Sequence, residues 1–581
     1  MRGERSTTAR PPAAAPAAGA RAAGGARGVD VAGRHAGMAG RTALISGLTL
    51  VSRLLGYARE VLSAWLFGDR SGIFDAFITA WRVPNLFRRF LGEGALATAL
   101  QTSLTEVDAE RGEEAGRALF AATAAMLAKI LLALCALVML LVWLTPDEMP
   151  LTGFAWLGAD PGAVRELTVR VMPFVVLTCL AAAAAGALNV RGHFATPALG
   201  PAVLNVVWIA ALSFVALTYG AHDAGAGGER TLAMVRVLAW GVLAAGLLQL
   251  VVMIPALRRY RLLGRGPADV ETRARARRGA FGVLKKSAPL ALGAAVYQVN
   301  VMVDGLMAEG LLPNGAPTLH YYASRLQQLP MALIAMAATA AVFPALAAYG
   351  QQGRRDELKA LHDRTQRGVC FLALPATVGL VVLAQPIIAV SFERGAFGPE
   401  GVQRAAAALR VLALAILPAG AAGLVARAYY ALGDFKTPVL VSSAMLVLNV
   451  VLNVVFLVGC GMDIDGLALA TAISSAGNVV LLLPGLRRRF GLPRAPAGFR
   501  ADLARSAVAA LACGTAAHGA RVFARGLGLG RAAALVLAIL AAALVFALCA
   551  ELLGVRAWRE ARARLAHRLG SPRSRSGRDG S

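Results

Sequence analysis

Apolar residues recur along this chain in long runs, separated by short polar stretches, from residue 43 to residue 554. Each run is near or above the ~20 residues that an α-helix needs to cross the hydrocarbon core of a bilayer. The runs lack period-two alternation, so they do not read as the strands of a membrane barrel. Helices and closed barrels are the structures that satisfy their own backbone in lipid. The pattern therefore predicts an all-α polytopic membrane protein. Fourteen spans are expected, at about 43–68, 73–105, 116–145, 165–190, 197–220, 231–257, 286–310, 318–348, 367–391, 402–432, 437–460, 465–487, 503–524 and 530–554.

The flanks and loops set the expected orientation. Residues 1–40 are rich in Ala, Gly, Pro and Arg without periodicity, and predict a disordered basic tail. A basic, amphipathic linker is expected at 261–285, where Arg265, Arg273, Arg275, Arg277, Arg278 and Lys285 cluster. Residues 556–581 predict a second basic tail. The alternate loops are short or acidic, as at Asp147-Glu148, Asp223 and Asp463-Ile464-Asp465. Basic segments stay on the cytoplasmic side. Both termini are thus expected in the cytoplasm, which requires an even number of spans.

Composition narrows the function classes. The chain has 581 residues, of which 57% are hydrophobic, and a mean hydropathy of +0.61. No stretch remains for a soluble catalytic domain, and no nucleophile–base pairing, P-loop or dinucleotide motif is present, so an enzyme is not expected. The net charge of +26 would suggest nucleic acid on a soluble protein. Here much of it sits in loops and tails, and no nucleic-acid partner is expected. Neither the six cysteines nor the seven histidines show metal-ligand spacing.

A repeat organises the spans. Gly192-His193-Phe194-Ala195-Thr196-Pro197 matches Gly433-Asp434-Phe435-Lys436-Thr437-Pro438 at an offset of 433 − 192 = 241. Arg111-Gly112 falls on Gln352-Gly353 at the same offset. The expected domains are an N-lobe of six spans (41–260), a C-lobe of six spans (286–490) and two added spans (491–555). Transporters built from repeats place their substrate site where the repeats meet.

The segment 43–95 holds the most unusual residues. Ser52-Arg53-Leu54-Leu55-Gly56-Tyr57-Ala58-Arg59-Glu60 is followed by Asp75-Ala76-Phe77 and by Pro84-Asn85-Leu86-Phe87-Arg88-Arg89-Phe90-Leu91-Gly92-Glu93-Gly94. A guanidinium at mid-bilayer costs between ~2.5 and ~17 kcal/mol, depending on how far the site relaxes. The arginines here outnumber the acids near them in sequence, which points to an anion from outside the chain. The pattern S-R-x-L-G-x-A-R-[DE], D-A-F, P-N-L-x-R-R-x-x-x-E-G-A resembles the MurJ (MviN) family of the multidrug/oligosaccharidyl-lipid/polysaccharide exporter superfamily. The likeness extends more thinly over about 40–555.

The resemblance implies a flippase that carries lipid II across the bacterial inner membrane during peptidoglycan synthesis. Lipid II and membrane lipids are then the expected partners, with wall-synthesis proteins as candidates. The resemblance places substrate-binding arginines at Arg53, Arg59, Arg88 and Arg325, supported by Ser52, Asp75 and Glu93. Arginine suits a pyrophosphate because its planar fork binds phosphate oxygens in pairs and keeps its charge when dehydrated. Arg53 and Arg59 do not share a face of a straight helix, so a break near Gly56 is expected. Relatives commonly carry Asp before the span-8 arginine, where this chain has Ser324.

A second polar group comprises Asp304, Asn449, Asn453 and Thr471. Asn449 and Asn453 are spaced to share a helix face. The resemblance implies a candidate Na⁺ site at these four, the ion serving in coupling. Proton coupling through Asp304 or Glu309, and asparagines that only bridge helices, are the alternatives. No other cofactor is expected. For function, the alternatives are another exporter of the same superfamily, moving polysaccharide-unit lipids or drugs, and a membrane scaffold that transports nothing.

Overall fold

The computed structural model describes residues 30–89, 95–148, 155, 156, 158, 160–220, 228–264, 269–339, 342–490 and 498–570. Among them regular structure is helical, apart from one isolated bridge between Glu148 and Ala155. The first half comprises α1 (Asp30–Phe67), α2 (Gly72–Phe87), α3 (Ala95–Leu144), α4 (Pro161–Val171), α5 (Phe174–Val190), α6 (Ala195–Tyr219) and α7 (Gly228–Arg259). The second comprises α8 (Val270–Leu311), α9 (Ala316–Thr339), α10 (Phe343–Gln351), α11 (Arg355–Phe392), α12 (Pro399–Leu414), α13 (Ile416–Ala431), α14 (Lys436–Val454) and α15 (Ile464–Phe490). Then come α16 (Phe499–Gly526), α17 (Arg531–Leu552) and α18 (Arg556–Gly570).

Among the described residues, ten segments are long and apolar enough to cross a membrane on length and composition. Four expected spans, 43–68, 73–105, 286–310 and 318–348, are not among those ten as separate segments. They fall on α1, on α2 with the start of α3, on α8, and on α9 with the start of α10. These helices carry Arg53, Arg59, Arg82, Asp304, Glu309 and Arg325, and α2 is only 16 residues long.

The two halves share their interruptions. Gly112 and Gly353 have φ of +81° and +69°, and Gly192 and Gly433 have +76° and +82°. Each pair is one repeat offset apart. A side chain would be strained at these left-handed turns, so the repeat conserves backbone shape as well as sequence. The expected single spans 165–190 and 402–432 are each two helices, parted at Met172–Pro173 and at Ala415. Pro173 supplies the first interruption, since proline lacks the N–H that would continue the helix.

One expectation needs correction at the flanks. The stretch 1–40 was expected to be unstructured, yet α1 begins at Asp30. No proline follows Pro16 before that point, and an acid at a helix start favours the dipole; residues 1–29 lie outside the described residues. The tail 556–581 begins as a helix, α18. Trp558 Nε1 donates to Glu551 at 2.6 Å, and Arg364 Nε to Glu560 at 2.6 Å, which ties α18 to α17 and α11.

The halves meet at the end of the bundle that carries the α1–α2 turn. There a buried cluster joins Phe74, Phe77, Trp81 and Trp208 of the first half to Tyr322, Phe392 and Phe397 of the second. Backbones approach so closely that glycine is required: a Cβ on Gly315 (φ +92°) would lie 1.8 Å from the Asp69 carbonyl. Ala396 N–H donates to the Trp65 carbonyl at 3.1 Å across the same seam.

Candidate functional site

Below this seam the halves separate around a cavity of about 700 Å³. Arg53, Arg59, Arg88, Arg89 and Arg325 line it, with Glu60 as the only acid among the lining residues. Five guanidinium groups against one carboxylate leave a formal excess of four positive charges. The structure thus brings together the four arginines that the resemblance implies, with Arg89 of the same motif beside them.

No unwinding of α1 is needed to do this. The helix runs unbroken through Gly56, contrary to the expected break. At about 100° per residue, Arg53 and Arg59 each stand about 60° to either side of Gly56. Glycine leaves the space between them open, so the cavity reaches both. Asn205 of α6 packs over that gap and donates to the Ser52 carbonyl at 2.9 Å. A Cβ on Gly56 would sit 3.5 Å from the Asn205 amide.

Each arginine is held in its own way. Arg59 is buried, donates to Asn205 Oδ1 at 3.1 Å and to Glu60 Oε1 at 2.5 Å, and lies 4.5 Å above the Trp208 ring. Arg88 donates to Asn85 Oδ1 at 2.9 Å within its own turn. Arg325 donates to the Tyr321 hydroxyl at 3.0 Å, and that hydroxyl donates to Glu60 Oε1 at 2.9 Å. Glu60 Oε1 also lies 3.8 Å from Arg325 Nε. A single carboxylate oxygen therefore ties Arg59 of one half to Tyr321 and Arg325 of the other. Arg325 therefore has a hydrogen-bond partner on its own helix, Tyr321, and an ion-pair partner from the other half, Glu60.

The remaining expected residues are placed differently. Ser52 lines the cavity and is buried. Asp75 does not line it. It lies in the seam, where it accepts from Gly315 N–H at 2.5 Å, Thr318 N–H at 3.1 Å and Thr318 Oγ1 at 2.5 Å. A carboxylate of one half thus caps the first turn of α9 in the other. Glu93 lies outside the described residues. Arg82 also faces the seam, with Nη2 donating to the Pro317 carbonyl at 3.0 Å and Thr79 donating to Glu309 nearby at 2.9 Å.

The second polar group assembles as one cluster. Asp304 accepts from Asn453 at 2.8 Å, from Thr471 at 3.2 Å and from Asn300 at 3.1 Å. The Asn449 amide packs against Asn453, 3.1 Å from its Nδ2. Asn449 and Asn453 are fully buried, and Asn453 Oδ1 has no hydrogen-bond partner. An enclosed carbonyl oxygen without a donor, beside a carboxylate, is a donor set that fits a hard cation. Among the described residues no group of three or more His, Cys, Asp or Glu is placed to hold a metal.

Glu60, Asn205, Trp208, Tyr321 and Asn300 were not singled out from sequence. Glu60 lies inside the quoted motif, and Tyr321 stands one helical turn before Arg325. Asn205 and Asn300 are isolated amides in apolar runs, a signal that names no partner.

Comparison with known proteins places the chain. The family model described as lipid II flippase MurJ matches residues 63–538. A lipid II flippase MurJ of Burkholderia cenocepacia is 32% identical over 460 residues, covering 77% of this chain and 83% of the relative. A probable lipid II flippase MurJ of Bdellovibrio bacteriovorus is 30% identical over 457 residues, covering 77% and 81%. The solved structure "Lipid II flippase MurJ, inward closed conformation" aligns with a TM-score of 0.68 at 21% identity, over 88% of this chain and 98% of that one. An inward-facing multidrug resistance MATE transporter aligns with a TM-score of 0.58 at 13% identity, over 77% and 98%. These two likenesses concern the fold. With its arginine-lined cavity and a family match over most of its length, the chain belongs to the MurJ family of lipid II flippases, multi-pass proteins of the bacterial inner membrane.

Proposed function

We propose that this protein carries lipid II from the inner to the outer leaflet, and that the pyrophosphate is held in the arginine cavity between the lobes. The observation that carries the reading is the excess of guanidinium groups around that cavity. Guanidinium groups crowded around one cavity repel one another, and an anionic substrate offsets that repulsion. Arg53, Arg59, Arg88 and Arg325 bind phosphate oxygens, and Ser52 supports them. Asp75 acts at the seam, where it holds the lobes together. The basic lining disfavours a cationic-drug antiporter, whose cavity would need acids.

In this reading both termini are cytoplasmic, the cavity lies toward the cytoplasm, and the seam closes the outer side. Release outward requires the lobes to part at Asp75, Gly315 and Thr318 while the Glu60–Tyr321 bridge yields. The chain is a carrier rather than an enzyme, and wall-synthesis proteins are its candidate partners. Asp304, Asn449, Asn453 and Thr471 would hold Na⁺, with Asn300 beside them. When bound, the ion supplies the energy of its gradient. The residues themselves fix α8 against α14 and α15 and keep Asp304 among amide and hydroxyl groups.

The test is complementation of a bacterium depleted of its own lipid II flippase. The wild-type chain should restore growth, while Arg53→Ala and Arg325→Ala at matched membrane levels should not. Rescue by all three would refute the arginine-cavity mechanism. Failure of a well-inserted wild type would refute lipid II as the substrate in that host.

A further inference from the structure

A second basic cavity, of about 440 Å³, lies between α11, α12, α16 and α17, away from the central one. Arg521, Arg525 and Arg531 line it, with Glu393 as the only acid among its lining residues. Arg531 Nη1 donates to Glu393 at 2.7 Å, which leaves a formal excess of two positive charges. Nothing in the transport reading uses these residues.

The sequence of α16 explains why the cavity exists. Ala510, Gly514 and Ala517 are buried on the face that meets α11. A Cβ on Gly514 would lie 2.6 Å from Val378, so small residues set a close approach there. Arg521 and Arg525 continue the same face at helical spacing. Two long guanidinium side chains replace small ones, and the helices part around them. Arginines at a helix end ordinarily snorkel along the lipid face. In this turn of α16 the exposed apolar residues are Val522 and Phe523, whereas Arg521 points its Nε into an enclosed site with no hydrogen-bond partner. Gln385 and Gln403 add amide groups to the lining.

We propose that this cavity binds the phosphate group of an anionic phospholipid. Arg521 lies about 8 Å before the end of α16 at 1.5 Å per residue, at headgroup depth for a helix that ends at the interface. In the proposed orientation the pocket lies at the outer interface, and its guanidinium groups suit a phosphodiester through paired, charge-assisted hydrogen bonds. The acyl chains would run along Val522, Phe523 and Val536, all exposed. The lipid would join the α16–α17 hairpin to the ends of α11 and α12. A free phosphate shares this chemistry and is the other source to be distinguished.

Native mass spectrometry of the purified full-length chain in neutral detergent tests the site, with phosphatidylglycerol, phosphatidylcholine and inorganic phosphate as probes. Wild type should retain phosphatidylglycerol in preference to phosphatidylcholine. The double variant Arg521→Gln/Arg525→Gln should bind phosphatidylglycerol about tenfold more weakly or worse, and Arg521→Lys/Arg525→Lys should keep most of the binding. Retention of phosphatidylglycerol in excess inorganic phosphate assigns the site to the lipid. Displacement by inorganic phosphate assigns it to the soluble anion. Equal phosphatidylglycerol binding by wild type and the glutamine variant overturns the proposal. So does loss of the adduct in Arg325→Gln, which would place the lipid in the central cavity. Should the double variant fail to fold, Arg531→Gln carries the same comparison.

Discussion

Glu60 on α1 and Tyr321 on α9 are joined across the cavity by a 2.9 Å hydrogen bond from the tyrosine hydroxyl to Glu60 Oε1. The same oxygen accepts from Arg59 at 2.5 Å, so the bond links the paired arginine of one lobe to the other lobe. Glu60→Gln and Tyr321→Phe should each weaken flipping at unchanged membrane levels. Their effects should not add: a double-mutant cycle should give a coupling of about 0.5–3 kcal/mol. Strictly additive losses would mean the bond carries no coupling.

The seam predicts a second effect. Asp75 caps the first turn of α9 from the opposite lobe. Removing a cap costs about 0.5–2 kcal/mol. Asp75→Ala should therefore raise hydrogen exchange at residues 315–320 in the purified protein, with the exchange of α16 and α17 unchanged. Protection equal to wild type in that turn would contradict the capping role.

Gly305 offers a test of how Arg82 is seated. A Cβ there would lie 1.5 Å from Arg82 Nη1. Gly305→Ala must push the guanidinium out of its notch and break its bond to the Pro317 carbonyl. A hydrogen bond to a charged group contributes about 1.5–3 kcal/mol, so the thermal midpoint should fall. Arg82→Ala added to Gly305→Ala should then cost less than Arg82→Ala alone. A Gly305→Ala protein as stable as wild type would show that Arg82 has another place to go.

For the polar cluster, Na⁺ should raise the thermal midpoint of the wild-type protein relative to choline at equal ionic strength. Asp304→Asn should remove that difference while leaving the protein folded. An equal midpoint shift in Asp304→Asn would exclude these residues as the ion site.

The sequence made the arginines legible because charge is rare in membrane helices and each one stands out singly. It made the repeat legible at Gly192 and Gly433, where both glycines hold the same left-handed turn. The role of Gly56 is not legible in the sequence. Helical geometry correctly separated Arg53 from Arg59, but it gave no view of what lay between them. An absent side chain turned out to join the two faces into one wall. Asp75 was legible as important and misplaced, since its partners Gly315 and Thr318 are 240 and 243 residues away. Glu60 was hidden in plain view, as the last letter of a motif read for its arginines.

The central claim is that the cavity arginines carry lipid II across the membrane. It is tested most directly by measuring lipid II exposed on the outer leaflet of cells depleted of their own flippase. Wild type should restore that exposed pool, and Arg53→Ala and Arg325→Ala should leave lipid II on the inner leaflet at equal protein levels. Equal outer-leaflet lipid II in all three would contradict the account.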